Sequence, residues 1–189
     1  MLAAALCCAC SDGEDEDDRP SVIGRWKTPC NPDDEGAGRH VELFEFRADQ
    51  SFEAAVIGYP AGVCNEADRT DRLRFIGTYQ AESKKAGETG TLDFTLQGGF
   101  ITLYSPATVA VYNQVAYCGS TNWTQGIEQS LLGRGCAGIP FESADRRYEI
   151  YKIEEGRLYL GADSEFQSPS EAPMRATMFD TIDVFDRAD

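Results

Sequence analysis

The chain has 189 residues, of which 42% are hydrophobic, and a formal net charge of −15. That is one domain's worth of chain with an ordinary apolar fraction, enough to bury a core. Thirty-two acidic against seventeen basic residues, with no basic stripe among them, exclude a nucleic-acid partner, which needs clustered Lys and Arg to displace counterions from phosphates.

The first ten residues read MLAAALCCAC. The apolar run over 2–9 is too short to cross a bilayer. With no basic segment before it, the run is read as the truncated end of a secretory leader. It ends in a small residue, Ala9, then Cys10, which resembles a bacterial lipobox, although Cys7 stands where such boxes usually carry Leu. The resemblance implies cleavage before Cys10, which then carries acyl chains. Several acyl chains on one residue give stable anchoring where one gives marginal binding. Ser11 directly after the cysteine, in place of Asp, implies the outer membrane by analogy with Gram-negative sorting. Residues 11–21 are dominated by Asp and Glu. Such a run repels itself and extends, so it is expected to be a tether that holds the domain at 22–189 off the membrane.

Within that domain a first strand is expected at 22–28, around Trp26. Residues 41–47 (VELFEFR) alternate, with Phe44 and Phe46 on one face. A polar turn at 48–50 and a return strand at 51–59 make a hairpin, broken at 58–62. Over 71–80, Leu73, Phe75, Gly77 and Tyr79 share a face, with Arg72 and Arg74 opposite. A charged loop at 81–90 follows. Residues 91–96 alternate again, with Leu92, Phe94 and Leu96 together; Gly98-Gly99 reads as a turn before a strand at 100–104.

Ser105-Pro106 is a helix-start signal, an N-cap hydroxyl followed by Pro at the first helical position. It predicts the one short helix, over 107–117, with a strand as the alternative because of the β-branched preference of its valines. A strand is expected at 122–128 around Trp123. RRYEIYKI–EEG–RLYLG predicts a hairpin of 147–153 and 157–161. A Ser/Pro-rich loop at 164–173 and an extended segment at 176–185 close the chain. Many short strands joined by turns predict an all-β fold with one short helix: an antiparallel barrel of about eight strands, in which closure removes exposed edges.

Four cysteines lie in the domain: Cys30, Cys64, Cys118 and Cys136. Zinc sites bring their ligands in close pairs, and these four are widely separated in a chain read as exported, so disulfides are expected. Three pairings are open. His40 is the only histidine and has no nucleophile motif near it, so it is expected at a strand start or on the surface. G-x-S-x-G, P-loop and H-E-x-x-H motifs are absent from the sequence, and with them the usual signatures of hydrolases, nucleotide enzymes and zincins. No enzyme activity, cofactor or metal is expected. Trp26 is expected to plug the closed end of the barrel, with Arg187 or Arg175 over its ring, ahead of a role in lining a cavity. Phe46, Phe52, Phe75, Tyr79 and Phe94 fall on inward faces. They serve either as core or as the lining for an acyl chain, with the Tyr79 hydroxyl facing a head group. Trp123, after a Cys-Gly loop, is placed at a rim, either as structural packing or as a further ligand contact.

Several of these segments occur in a familiar order. They are GRWKTPC at 24–30, VELFEF leading to Cys64, Cys118-Gly119 followed by Trp123 and Gly135-Cys136, RRYEIYKIEEGRLYLG, and MRATMFDTIDVFDR at the end. Together they resemble the APCDDC domain, the module duplicated in a vertebrate Wnt antagonist and carried singly by bacterial lipoproteins. The resemblance spans roughly 22–187. It implies a lipocalin-like barrel with a hydrophobic cavity and implies the pairs Cys30–Cys64 and Cys118–Cys136, each of which closes a short section of chain. The resulting expectation is an exported, lipid-anchored envelope protein binding an acyl-type ligand, with the membrane and a lipid as its partners. The alternative is a solid barrel acting as a protein–protein interaction module of the envelope. Unpaired strand edges would support a dimer, but nothing in the sequence demands one.

Overall fold

Period-2 alternation is realised through most of the chain, in a computed structural model that describes residues 21–33, 38–82, 84–136, 139–140, 146–162 and 175–188. The leader and tether expected over 1–20, with Cys10, and the Ser/Pro-rich loop at 164–173 lie outside the described residues. The strands are β1 (Gly24–Lys27), β2 (Asn31–Pro32), β3 (Gly38–Phe46), β4 (Ser51–Pro60), β5 (Asp71–Ala81), β6 (Gly90–Leu103), β7 (Glu128–Ser130), β8 (Gly135–Cys136), β9 (Ile139–Pro140), β10 (Arg146–Glu154), β11 (Arg157–Leu160) and β12 (Asp186–Ala188). One helix, α1 (Pro106–Gln114), lies between β6 and β7.

Eight strands follow one another in the order β11-β10-β6-β5-β4-β3-β1-β12, each antiparallel to its neighbour. Phe185, just before β12, exchanges both backbone hydrogen bonds with Leu158 of β11, at 3.0 and 2.9 Å. The two ends of the sheet therefore meet, and the wall is a nearly closed eight-stranded barrel, as expected from the sequence. Closure satisfies backbone groups that an open sheet would leave on its edges.

The register sorts the inward residues of β3, β4, β5 and β6 into four rows. Phe46, Phe52, Gly77 and Leu96 form the first, at the end of the barrel where the β3–β4 hairpin turns. Phe44, Ala54, Phe75 and Gly99 form the second; Glu42, Val56, Leu73 and Ile101 the third; His40, Gly58, Asp71 and Leu103 the fourth. The floor is aromatic. Trp26, Phe46 and Phe185 are each 1% exposed and pack with Phe52, Tyr79, Phe94, Leu92 and Leu158 in one cluster. Ring centroids stand 5.0 Å apart for Phe46–Tyr79, 4.8 Å for Phe52–Phe94 and 5.4 Å for Phe44–Phe185, within the range where edge and offset contacts are favourable.

Trp26 plugs this end. Its indole nitrogen donates to the Val22 carbonyl at 2.7 Å, and the Arg187 guanidinium lies 4.7 Å over the ring while donating to the Ser21 and Ile23 carbonyls. Of the two arginines expected there, Arg187 takes the place. Arg175 instead lies over Tyr148 and pairs with Asp93 on the outer surface.

Three local expectations are corrected. Gly98-Gly99 is not a turn: β6 runs unbroken for 14 residues from Gly90 to Leu103. Neither glycine has positive φ. A Cβ at Gly98 would stand 2.8 Å from the Phe100 ring, and Gly99 lies opposite Phe75. The missing side chains make room for rings. The irregularity in this pair of strands is a bulge, with the register shifting between Ile76 and Gly77, which bends the wall. The strand expected over 122–128 is a loop, with only β7 forming from Glu128, because the Asn113 side chain captures both the Trp123 N–H (2.7 Å) and its carbonyl (3.0 Å). The segment 176–185 is mostly irregular, touching the sheet through single bridges at Phe179 and Phe185. The helix forms as its cap signal predicts, with the Ser105 hydroxyl accepting from the Thr108 N–H. It ends at Gln114, because Ala116 turns into the left-handed region at φ 49°.

Candidate site at the barrel mouth

Above the floor, burial falls row by row. Across β3, β4 and β5, Phe44 and Phe75 of the second row, and Glu42, Val56 and Leu73 of the third, face inward yet are only half-buried. On β6, Ile101 of the third row and Leu103 of the fourth are sealed. The difference comes from a cap built by the excursion between β6 and β10. Leu103 and Ile101 pack under Trp123, Leu131 and the Cys118–Cys136 bridge, with Tyr112 and Tyr117 at the edge of the cluster. The Trp123 indole donates to the Tyr117 carbonyl at 3.1 Å, and Arg134 stands 5.3 Å over its ring. The mouth is thus roofed on the β6 side and less covered above β3, β4 and β5.

The fourth row brings polar groups to this opening. Asp71 accepts a hydrogen bond from the Thr70 hydroxyl at 2.7 Å. Burial pushes its carboxyl above the ordinary range, against the lowering effect of that hydrogen bond. Tyr112 and Tyr117 both have their phenols pushed up, by burial first and by the nearby Asp71 charge second. On the opposite side the His40 Nε2 lies 3.1 Å from an Asp183 carboxylate oxygen, which also accepts from the Asn31 side chain at 2.8 Å. Arg147 and Glu149 of β10 also fall on the inward side of the register, across from Phe94 and Leu92 of the floor.

Both disulfides form in the implied pairs. Cys30–Cys64 joins the β1–β2 connection to the end of β4, and Cys118–Cys136 ties the cap. The first covers the outer face of the sheet, where Val41, Ile57 and Tyr59 are buried beneath it. A separate hollow of ≈ 70 Å³ lies on the outer wall between Arg25, Leu43, Glu53 and Arg72. It is far below the several hundred cubic ångströms of a typical organic-ligand pocket.

The residues expected to line a ligand cavity are divided by this geometry. Phe46, Phe52, Tyr79 and Phe94 sit in the closed floor, each at most 6% exposed, and the Tyr79 hydroxyl donates to the Arg47 carbonyl at 3.0 Å. Phe75 alone of the inward set stays half-buried, one row higher. Trp123 is in the cap and buried. His40 is at a strand start, as expected, with its ring turned to the mouth. Sequence reasoning did not single out Glu42, Asp71 or Asp183. The alternation of β3 already placed Glu42 on the face of His40, but no local signal tied Asp183 to either. No protein-family model matches the chain, and no curated protein matches it.

Proposed function

We propose that the chain is an exported, lipid-anchored envelope protein whose barrel takes an amphiphilic, acyl-type ligand at its mouth without catalysis. The observation that carries this reading is the gradient along the barrel: a sealed aromatic floor, then half-buried Phe44 and Phe75, then Val56 and Leu73 with Glu42 in the same row, then the polar groups His40 and Asp71. An apolar tail would lie against the middle rows with its head group among the polar ones, the division of labour common to small-molecule sites. The two disulfides suit an oxidising compartment. The lipobox-like Cys10 supplies the anchor, and the resemblance to the APCDDC domain agrees with a lipocalin-like carrier in the outer membrane. In this reading Phe46, Phe52 and Phe94 are the floor beneath the ligand, and Phe75 touches it.

The test is native mass spectrometry of the full chain incubated with a long-chain fatty acid. A 1:1 adduct is expected, and Leu73→Trp, which fills the third row, should abolish it while the fold persists by circular dichroism. The absence of an adduct with the wild-type chain at about 100 μM acid, a concentration that would miss only affinities weaker than about −5 kcal/mol, would overturn the reading.

A second reading, a protein–protein interaction module, is favoured by one observation. The cap leaves Val111 and Val115, one turn apart at the C-terminal end of α1, and Ile127 and Leu132 at 45–62% exposure, and exposed apolar patches mark contact surfaces.

A further inference from the structure

We propose that His40, Glu42 and Asp183 form a binding site for a divalent first-row transition-metal ion at the mouth of the barrel. The three offer an imidazole nitrogen and two carboxylates whose ligand atoms all lie within 4.8 Å of one another. His40 and Glu42 are two apart on β3 and so project from the same face. Asp183 arrives from the segment before β12, a sequence separation of 143 from His40.

Two of the ligands are positioned by their surroundings. The Glu42 backbone is clamped by Thr28: the Glu42 N–H donates to the Thr28 hydroxyl at 2.9 Å, and the Thr28 N–H donates to the Glu42 carbonyl at 3.0 Å. Asp183 ends a turn in which the Asp180 carboxylate accepts from the Ile182 and Asp183 N–H groups. Asn31 donates to the Asp183 carboxylate and to the Ile182 carbonyl, so the carboxylate is oriented by a residue outside the triad. The side chains of His40 and Asp183 are 17% and 21% exposed, sheltered but open to an ion from solution.

The ligand types select the ion. Imidazole favours zinc, copper, iron and nickel over calcium and magnesium, and two carboxylates neutralise a divalent charge. A tetrahedral ion with bonds of about 2.1 Å sets its ligands about 3.4 Å apart. The His40–Asp183 separation of 3.1 Å already fits that edge, and the Glu42 carboxylate lies within 4.8 Å of both. On binding, His40 exchanges its hydrogen bond to Asp183 for the metal, while Asn31 keeps Asp183 in position. Three protein ligands leave at least one coordination position facing the mouth. This inference does not depend on the acyl reading, and its probe is the metal alone.

The experiment is a titration of the untagged full chain with cobalt(II), followed by visible absorption and by proton NMR. One equivalent is expected to give a d–d band without thiolate charge transfer. His40 is the only histidine, so its ring resonances must show paramagnetic shifts. His40→Ala, Glu42→Gln and Asp183→Asn should each weaken binding about tenfold or more, since even residues that only orient a ligand cost that much. Unshifted histidine resonances at saturating cobalt would overturn the site without any variant. So would a thiolate charge-transfer band that survives all three substitutions, which would put the ion on the N-terminal cysteines.

Discussion

Asp71 shows how one carboxyl registers its surroundings. It stands in the fourth inward row with Leu103 as its cross-strand partner, and burial raises its proton affinity in the folded state. The folded protein therefore binds this proton more tightly than the unfolded chain. The associated stability is fully present below the unfolded value of about 3.9 and is lost as pH rises through the folded value. Asp71→Asn keeps an oxygen for the Thr70 hydroxyl and removes the charge. It is expected to raise the melting temperature at pH 7 and to give no gain at pH 3, as read by thermal unfolding. An equal effect at both pH values would mean that ionisation is not the cause. Glu128 has the opposite sign: its hydrogen bonds from Arg74, at 2.7 and 2.9 Å, hold its carboxyl below the ordinary range, so that contribution is present above the unfolded value and lost in acid.

Among the elements, the two disulfides tie down segments that carry little regular structure. By loop-closure entropy, a bridge across 34 residues contributes about 4 kcal/mol and one across 18 about 3 kcal/mol. Replacing Cys30 and Cys64 by Ala is expected to lower the unfolding free energy by about 4 kcal/mol in urea titrations. Replacing Cys118 and Cys136 should cost somewhat less, and its signature is local. Backbone amides of α1 and the Trp123 loop should exchange with solvent well before those of β4, β5 and β6, because that cap is held by one small apolar cluster and the Asn113 and Tyr117 hydrogen bonds. Uniform loss of protection across cap and wall would show that the cap and barrel unfold as one unit.

The whole molecule depends on a short closing contact. β12 has three residues, and the sheet is carried round from β11 by the Phe185–Leu158 bridge, with the Gly161–Phe179 bridge and the Asp180 N–H donating to the Leu160 carbonyl beside it. Phe185 itself is buried in the floor against Phe44. Phe185→Ala therefore removes both a core side chain and the packing that seats the closure, and is expected to cost about 3–5 kcal/mol in chemical denaturation. A loss below about 1 kcal/mol, the range of a surface substitution, would mean that the barrel holds without its seam.

How much of this was legible in the sequence follows the range of each interaction. The alternation in 41–47, 51–59 and 71–80 marked three strands, and its phase put Phe44, Phe46, Leu73, Phe75 and Tyr79 inside, because successive side chains on a strand point to opposite faces whatever the strand pairs with. The Ser105-Pro106 pair marked the helix start for the same local reason. The sequence alone also determined that the barrel is antiparallel and that its cysteines are spaced for disulfides, and it offered Arg187 and Arg175 as partners for Trp26 without choosing between them. Gly98-Gly99 misled because glycine serves both turns and close packing, and only the rings of Phe75 and Phe100 decide which. Tertiary structure alone decided that four of the inward aromatics form a sealed floor, that the cap shields β6 and leaves β3 to β5 less covered, and that Asp183 meets His40. Those outcomes depend on strand register and on a closure between residues 158 and 185, and a contact across such separations is set by the summed packing of the whole barrel, which no local pattern in the chain encodes.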